Sequence, residues 1–289
     1  MKDINFYEED FKNIASWNPS LIEVRKTETG LLKRIFNSID LTSLNSTDSI
    51  NSISIFCKKV LEFPDKFHDM PNVAAVCVYP LFASVLAKFL NGTDVRKAVV
   101  SASFPSSQTF PEIKIEETKL ALSNGADEID IVIPVGEFLE NNYEFVVEDI
   151  ASIKDIMGNA KLKVILETGA LGTGENIWKA SILAMNAGAD FIKTSTGKVN
   201  ISATPEAAWI MTHAIKAHVR HTGAKIGFKP AGGISTVDEA ILYWSIVENV
   251  LGEEWLNNNL FRIGASRLAN NLLTEIEKLN GNSKAVSFF

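Results

Sequence analysis

Four charged residues interrupt apolar runs in this chain, and their types point to one chemistry. Asp130 sits in EIDIVIPV between Ile129 and Ile131, Lys163 lies between Leu162 and Val164, Lys193 follows Phe191 and Ile192, and Lys229 follows Gly227 and Phe228. A lone lysine at a strand end is ordinarily solvated, its stem lying along apolar surface. A single Asp–Lys pair is ordinarily a salt bridge. Several cations gathered around one carboxylate are harder to explain structurally, because burying them is costly and is tolerated mainly where function needs it. A free lysine titrates at about 10.4, so its amine is a poor nucleophile at neutral pH. Desolvation and a neighbouring cation both disfavour the ammonium. A neutral lysine attacks a carbonyl to form a Schiff base, whose iminium draws electrons and lets an adjacent carbon–carbon bond break or form. Asp130 then serves as general base or proton relay, directly or through a water.

A second signal lies in two glycine-bearing turns, AGGIS (231–235) and IGAS (263–266). Backbone N–H groups in such turns at helix starts cradle anions.

Short strand-like runs must position these groups. They are SIDLT (38–42), VAAVCVYP (73–80), KAVVSASF (97–104), EIDIVIPV (128–135), KLKVILET (161–168), DFIKTST (190–196), KIGFKPAGG (225–233) and LFRIGAS (260–266). Most are apolar on both faces, as buried parallel strands are. Helical patterns separate them. Residues 112–123 set Ile113, Ile115, Leu120 and Leu122 among charges, Thr204 and Pro205 form a capped helix start, and Thr236 with Glu239 fits a capping box. Gly125 and Gly188, in the related segments NGADEIDIV and AGADFIKTS, fit helix ends before the next strand. Eight strand–helix units predict an α/β fold, a (β/α)8 TIM barrel with an N-terminal helical extension. An open doubly wound sheet usually carries a glycine-rich loop after its first strand, and SIDLTSLNSTD has no glycine. The expected organisation is an extension over residues 1–30, a single barrel domain over 31–280 and a flexible tail over 281–289. A helix near 31–38 should lead into the first strand. The glycine-bearing turns then follow strands seven and eight, where phosphate sites of such barrels often lie.

Composition narrows the function further. The 289 residues are 46% hydrophobic and 22% charged, with a net charge of −7 and no Lys/Arg-rich block. Neither nucleic acid nor an anionic membrane is an expected partner. No run approaches the roughly 18 apolar residues of a spanning helix, and the acidic start MKDINFYEEDFKN is not a secretory signal. Four histidines and two distant cysteines give no metal-ligand spacing. Cys57 and Cys77 read as buried free thiols, which points to the cytoplasm.

The motifs FIKTSTGKVNISATPEAA, IGFKPAGGIST, DEIDIVIP, KVILETG, IDLTSLN, AAVCVYP and FRIGAS, collinear from about residue 38 to 275, resemble the deoxyribose-phosphate aldolase family. The resemblance implies a class I aldolase that cleaves 2-deoxy-D-ribose 5-phosphate reversibly to acetaldehyde and D-glyceraldehyde 3-phosphate, without metal or organic cofactor. It implies Lys193 as the Schiff-base lysine, Lys229 as the second lysine that lowers its pKa, and Asp130 as the proton relay. Asp127 and Glu128 match loop and barrel-end positions. Lys163 matches a residue lining the site, Asp40 and Thr42 residues near the substrate hydroxyl, and Lys198, Gly232, Gly233, Gly264 and Ser266 the phosphate end. A phosphorylated sugar and aldehydes are the implied partners, with a homodimer as the assembly common in the family. Two positions depart from the family pattern. Arg267 stands where a hydroxyl or small residue is common, and Phe289 ends the chain where one branch carries a tyrosine. A related Schiff-base aldolase with another donor and a catalytically silent sugar-phosphate-binding barrel are the competing readings.

Overall fold

The computed structural model describes residues 7–282 and 284–289. Its core is one sheet of eight strands: β1 Ile39–Thr42, β2 Ala75–Val78, β3 Arg96–Val100, β4 Glu128–Val132, β5 Lys161–Ile165, β6 Phe191–Lys193, β7 Gly227–Lys229 and β8 Ile263–Ala265. Sequential strands pair in parallel from β1 to β7, and β1 also pairs with β8. Parallel bridges Phe228–Phe261 and Ala231–Gly264 close the remaining seam. The fold is the (β/α)8 barrel expected from the alternation.

Each strand falls within, or within a residue of, an apolar run of the sequence, but the strands are shorter. The C-terminal ends of the runs leave the ladder and become loops. Ala102 and Ser103 turn to φ of 57° and 61°, and Glu167 to 56°. In such barrels these ends form the functional face, so the lost ladder length is what shapes the site.

The helical signals appear where local chemistry put them. Thr204 accepts from the Ala207 N–H ahead of the helix Pro205–Thr222, and the reciprocal Thr236–Glu239 capping box opens Val237–Leu251. Gly125 and Gly188 hold φ of 98° and 99°, angles that Cβ-bearing residues rarely adopt. The helix leading into β1 spans Thr29–Phe36.

Residues 1–6 of the expected N-terminal extension lie outside the described residues, and Phe11, Ala15 and Trp17 contact the outer helices. Phe11 meets Trp178 at 5.6 Å between ring centres and Trp17 meets Trp209 at 5.8 Å. The Trp209 indole donates to the Ala15 carbonyl at 2.9 Å. Within the C-terminal segment expected as a tail, Phe288 and Phe289 contact the barrel's outer layer. Phe289 stacks on Phe63 at 5.4 Å and Phe288 meets Phe67 edge-on at 5.5 Å. The Asn270 side chain accepts from the N–H groups of both Phe288 and Phe289 at 3.0 Å.

Candidate active site

Strand alternation sends every second side chain into the barrel. Asp130 and Lys163 are register partners, as are Lys193 and Lys229, so two adjacent strand pairs place their charges side by side. Lys193 Nζ donates to Asp130 Oδ2 at 2.8 Å and Lys229 Nζ donates to the same oxygen at 2.7 Å. Lys163 Nζ donates to the other oxygen, Oδ1, at 3.1 Å. Lys229 also pairs with Asp40, and Lys163 with Glu128. Asp130, Lys163, Lys229 and Asp40 are fully buried, and Lys193 is 4% exposed.

Small residues make room for this cluster. A Cβ on Gly264 would lie 2.8 Å from the Ala231 Cβ and 3.2 Å from the Lys229 Cε. A Cβ on Gly227 would fall 2.2 Å from the Phe191 ring, which fills the barrel two residues before Lys193.

Burial and neighbours divide the lysines electrically. Burial pulls the Lys193 ammonium below its ordinary value, and Lys229 adds to that effect while Asp130 opposes it. Burial also weighs against the Lys229 ammonium, but Asp130 and Asp40 together outweigh it and raise its pKa. Lys163 is likewise raised by Asp130, Glu128 and Asp40 against burial. Burial alone would raise Asp130, yet Lys163, Lys193 and Lys229 hold it well below the carboxylate range. Lys193 is therefore the member with the weakened proton. Burial pushes the nearby Cys77 thiol up.

Above the cluster opens a cleft of about 270 Å³. Its lining includes Thr42, Lys193, Lys198, Gly232, Gly233, Gly264, Ser266 and Arg267, which unites one predicted catalytic lysine with the residues predicted at the substrate and phosphate end. Of the buried lysines in the cluster, only Lys193 borders it. Asp40 and Lys163, predicted as substrate-binding residues, instead lie beneath the cleft floor in the ion network. Gly232 and Gly233 hold φ of 90° and 84°. A Cβ at Gly232 would meet the Ser202 Cβ at 2.5 Å, so the close approach of two loops requires glycine there. Thr194 Oγ1 donates to the Ala231 carbonyl at 3.0 Å and accepts from the Ala231 N–H at 2.9 Å, tying the loops after β6 and β7 together. The cleft lining carries Lys193, Lys198 and Arg267 and no carboxylate, a setting that favours an anion. The tail ending at Phe289 is not part of that lining.

Three residues of the site went unnoticed as such in the sequence. Arg262 donates from Nη1 to Asp40 Oδ1 at 2.6 Å and from Nη2 to Glu128 Oε1 at 2.8 Å. It breaks the apolar run LFRIGAS just as the four recognised charges break theirs, so the same criterion reaches it. Glu128, expected as a barrel-end residue, begins β4 and points inward with Asp130, two positions away on the same face. Glu167 is buried and accepts from the Thr196 N–H at 3.2 Å and the Thr196 hydroxyl at 2.6 Å, which holds the loop that carries Lys198. Its role depends on a left-handed turn that no periodicity announces.

The model of the DeoC/LacD family aldolases matches residues 36–249. A Homo sapiens protein named deoxyribose-phosphate aldolase is 41% identical over 273 residues, covering 89% of this chain and 84% of its own length. The Mus musculus protein of the same name is 41% identical over 261 residues, covering 86% of this chain and 80% of its own. Among solved structures, the tetrameric deoxyribose phosphate aldolase from Aeropyrum pernix superposes with a TM-score of 0.68 at 21% identity, over 85% of this chain and 92% of its own. It shares the barrel fold. The family match over most of the barrel, and the relatives' identity over most of both chains, show that the chain belongs to the DeoC/LacD family of aldolases.

Proposed function

We propose that the protein cleaves 2-deoxy-D-ribose 5-phosphate reversibly to acetaldehyde and D-glyceraldehyde 3-phosphate through a Schiff base on Lys193. The observation that carries this reading is the position of Lys193. It is the buried lysine that borders the cleft, and burial and Lys229 weaken its proton.

The neutral Nζ of Lys193 adds to the C1 aldehyde of the open-chain sugar, and loss of water gives the iminium. The C3 hydroxyl then yields its proton and the C2–C3 bond breaks. Its electron pair forms the C1=C2 bond of an enamine as the iminium nitrogen becomes neutral, and C3 leaves as the aldehyde of glyceraldehyde 3-phosphate. Protonation at C2 and hydrolysis release acetaldehyde and free Lys193. The iminium is the electron sink, so the chemistry calls for no metal or organic cofactor. Asp130 contacts both amines, which supports its role as proton relay once Lys193 leaves its Oδ2. The anion-favouring lining beside Gly232, Gly233, Gly264 and Ser266 supports a phosphate end there, and Thr42 a contact with a sugar hydroxyl. Asp40 and Lys163 act from below by holding Lys229 and Asp130 in place. The two buried free cysteines suit a reducing cytoplasm, and the enzyme would work there as a homodimer. No helix among the described residues is long and apolar enough to cross a membrane.

Incubation with acetaldehyde and sodium borohydride, followed by intact-mass measurement and peptide mapping, tests the reading. An ethyl adduct on Lys193, lost in Lys193→Ala, is the expected result. A folded protein that binds the sugar phosphate without forming an adduct would instead be the silent barrel.

A further inference from the structure

The buried cluster extends below the catalytic residues to the opposite mouth of the barrel. There Glu128 and Arg262, each 3% exposed, face a cavity of about 510 Å³ that Arg96, Asp127 and Lys161 also line. Both are wired to the catalytic groups. Arg262 bonds Asp40, Asp40 pairs with Lys229, and Lys229 shares Asp130 with Lys193. Glu128 pairs with Lys163, which bonds Asp130. The full set is Asp40, Glu128 and Asp130 against Lys163, Lys193, Lys229 and Arg262. Three carboxylates face four cations, so full ionisation leaves one uncompensated positive charge in a water-poor interior. Loss of one proton balances the set, and a balanced buried cluster is far less costly than a charged one.

We propose that Arg262 and Glu128 are positioning residues that fix this charge balance from the lower mouth of the barrel and so decide that Lys193 is the amine left without a proton. Arg262 is the permanent cation of the set, because a guanidinium does not deprotonate in this range. It satisfies one carboxylate equivalent that would otherwise hold Lys193 as an ammonium. Glu128 acts in the opposite sense, because its negative charge, held beside Lys163, favours the ammonium form of the lysines in the set. Lys193 feels this balance through Asp130 on β4, Lys163 on β5, Lys229 on β7 and Asp40 on β1, with Cys77 on β2 beside them and Lys198 and Arg267 at the cleft.

The proposal rests on Lys193 being the Schiff-base nucleophile, which borohydride trapping with acetaldehyde checks separately in each protein. The test itself is the pH dependence of kcat/KM for cleavage of 2-deoxyribose 5-phosphate in wild type, Glu128→Gln, Arg262→Gln, Arg262→Lys and the double variant Glu128→Gln/Arg262→Gln. Ionisation of the substrate is common to all five, so differences belong to the free enzyme. Removing the cation should move the rise in activity about one pH unit higher, and removing the carboxylate about one unit lower, the size of a single near-charge effect. Arg262→Lys restores the charge and should return the rise to its wild-type place. The double variant removes one charge of each sign and should do the same. If Arg262→Gln does not fold, the downward shift in Glu128→Gln decides alone. Single variants that shift the same way, or not at all, while the adduct still maps to Lys193, would overturn the proposal. An absent adduct in wild type would overturn the aldolase reading instead.

Discussion

Lys193 and Lys229 face each other across the β6–β7 register, and their Nζ atoms converge on one carboxylate oxygen of Asp130 at 2.8 and 2.7 Å. Two ammonium groups on one oxygen repel each other, and the pair relaxes when one of them loses its proton. Lys229 has a second carboxylate, Asp40, whereas among the described residues Lys193 pairs with Asp130 alone and opens to the cleft. The asymmetry strengthens the proton on Lys229 and weakens the one on Lys193, as the proposed Schiff-base role of Lys193 requires.

Lys229→Met tests that asymmetry. On the proposed mechanism, activity rises with pH as Lys193 loses its proton. Without the neighbouring cation Lys193 keeps its proton longer, so the rise in kcat/KM should occur about one unit higher in pH. The variant also leaves Asp40 and Asp130 short of a partner, at a cost of about 3–5 kcal/mol in unfolding free energy. A pH–rate profile that stays in place would reduce Lys229 to a packing role.

Asp130→Asn keeps the shape of the side chain and removes its charge. If Asp130 carries protons during turnover, kcat should fall by about 10²- to 10⁴-fold with little change in KM. Steady-state kinetics that show an effect confined to KM would contradict the relay.

Gly264→Ala places a methyl group 2.8 Å from the Ala231 Cβ and 3.2 Å from the Lys229 Cε. The first contact lies on the bridge that closes the barrel, so stability should drop by about 1–3 kcal/mol, as overpacked sites do. The second displaces Lys229, so kcat should fall too. Denaturant unfolding and kinetics on one preparation separate the two effects.

Arg267→Ser restores a hydroxyl residue beside Ser266. Arg267 borders the cleft with Lys198 and is exposed, so its contribution should be that of a solvated charge contact, about 1 kcal/mol. On that basis kcat/KM for 2-deoxyribose 5-phosphate should fall about fivefold while that for unphosphorylated 2-deoxyribose holds. Equal losses on both substrates would place Arg267 outside the phosphate end.

Local signals carried much of this structure. Apolar runs of strand length, each followed by helical periodicity, determine the eight parallel strands, because a parallel strand buried on both faces has to be apolar throughout. The Thr236–Glu239 box and the Thr204–Pro205 start close their hydrogen bonds within a few residues, so they were legible without a fold. A charge breaking an apolar run marks Asp130, Lys163, Lys193 and Lys229 as candidates for the barrel interior, since the opposite face of a barrel strand packs on apolar helix side chains.

What the sequence could not settle are relations between residues far apart in the chain. Arg262 lies 134 positions from Glu128 and 222 from Asp40, and only closure of the β7–β8–β1 seam makes them neighbours. The same closure puts Asp40 and Lys163 under the cleft floor, because their depth depends on strand register and barrel tilt. The seat of Phe288 and Phe289 depends on a groove between Phe36, Phe63 and Phe67 that exists only once two helices pack. The residue types, and so the chemistry available, were written in the sequence. Which lysine holds its proton less tightly depends on the tertiary structure, because that follows from how many charges share one dry interior and at what distance.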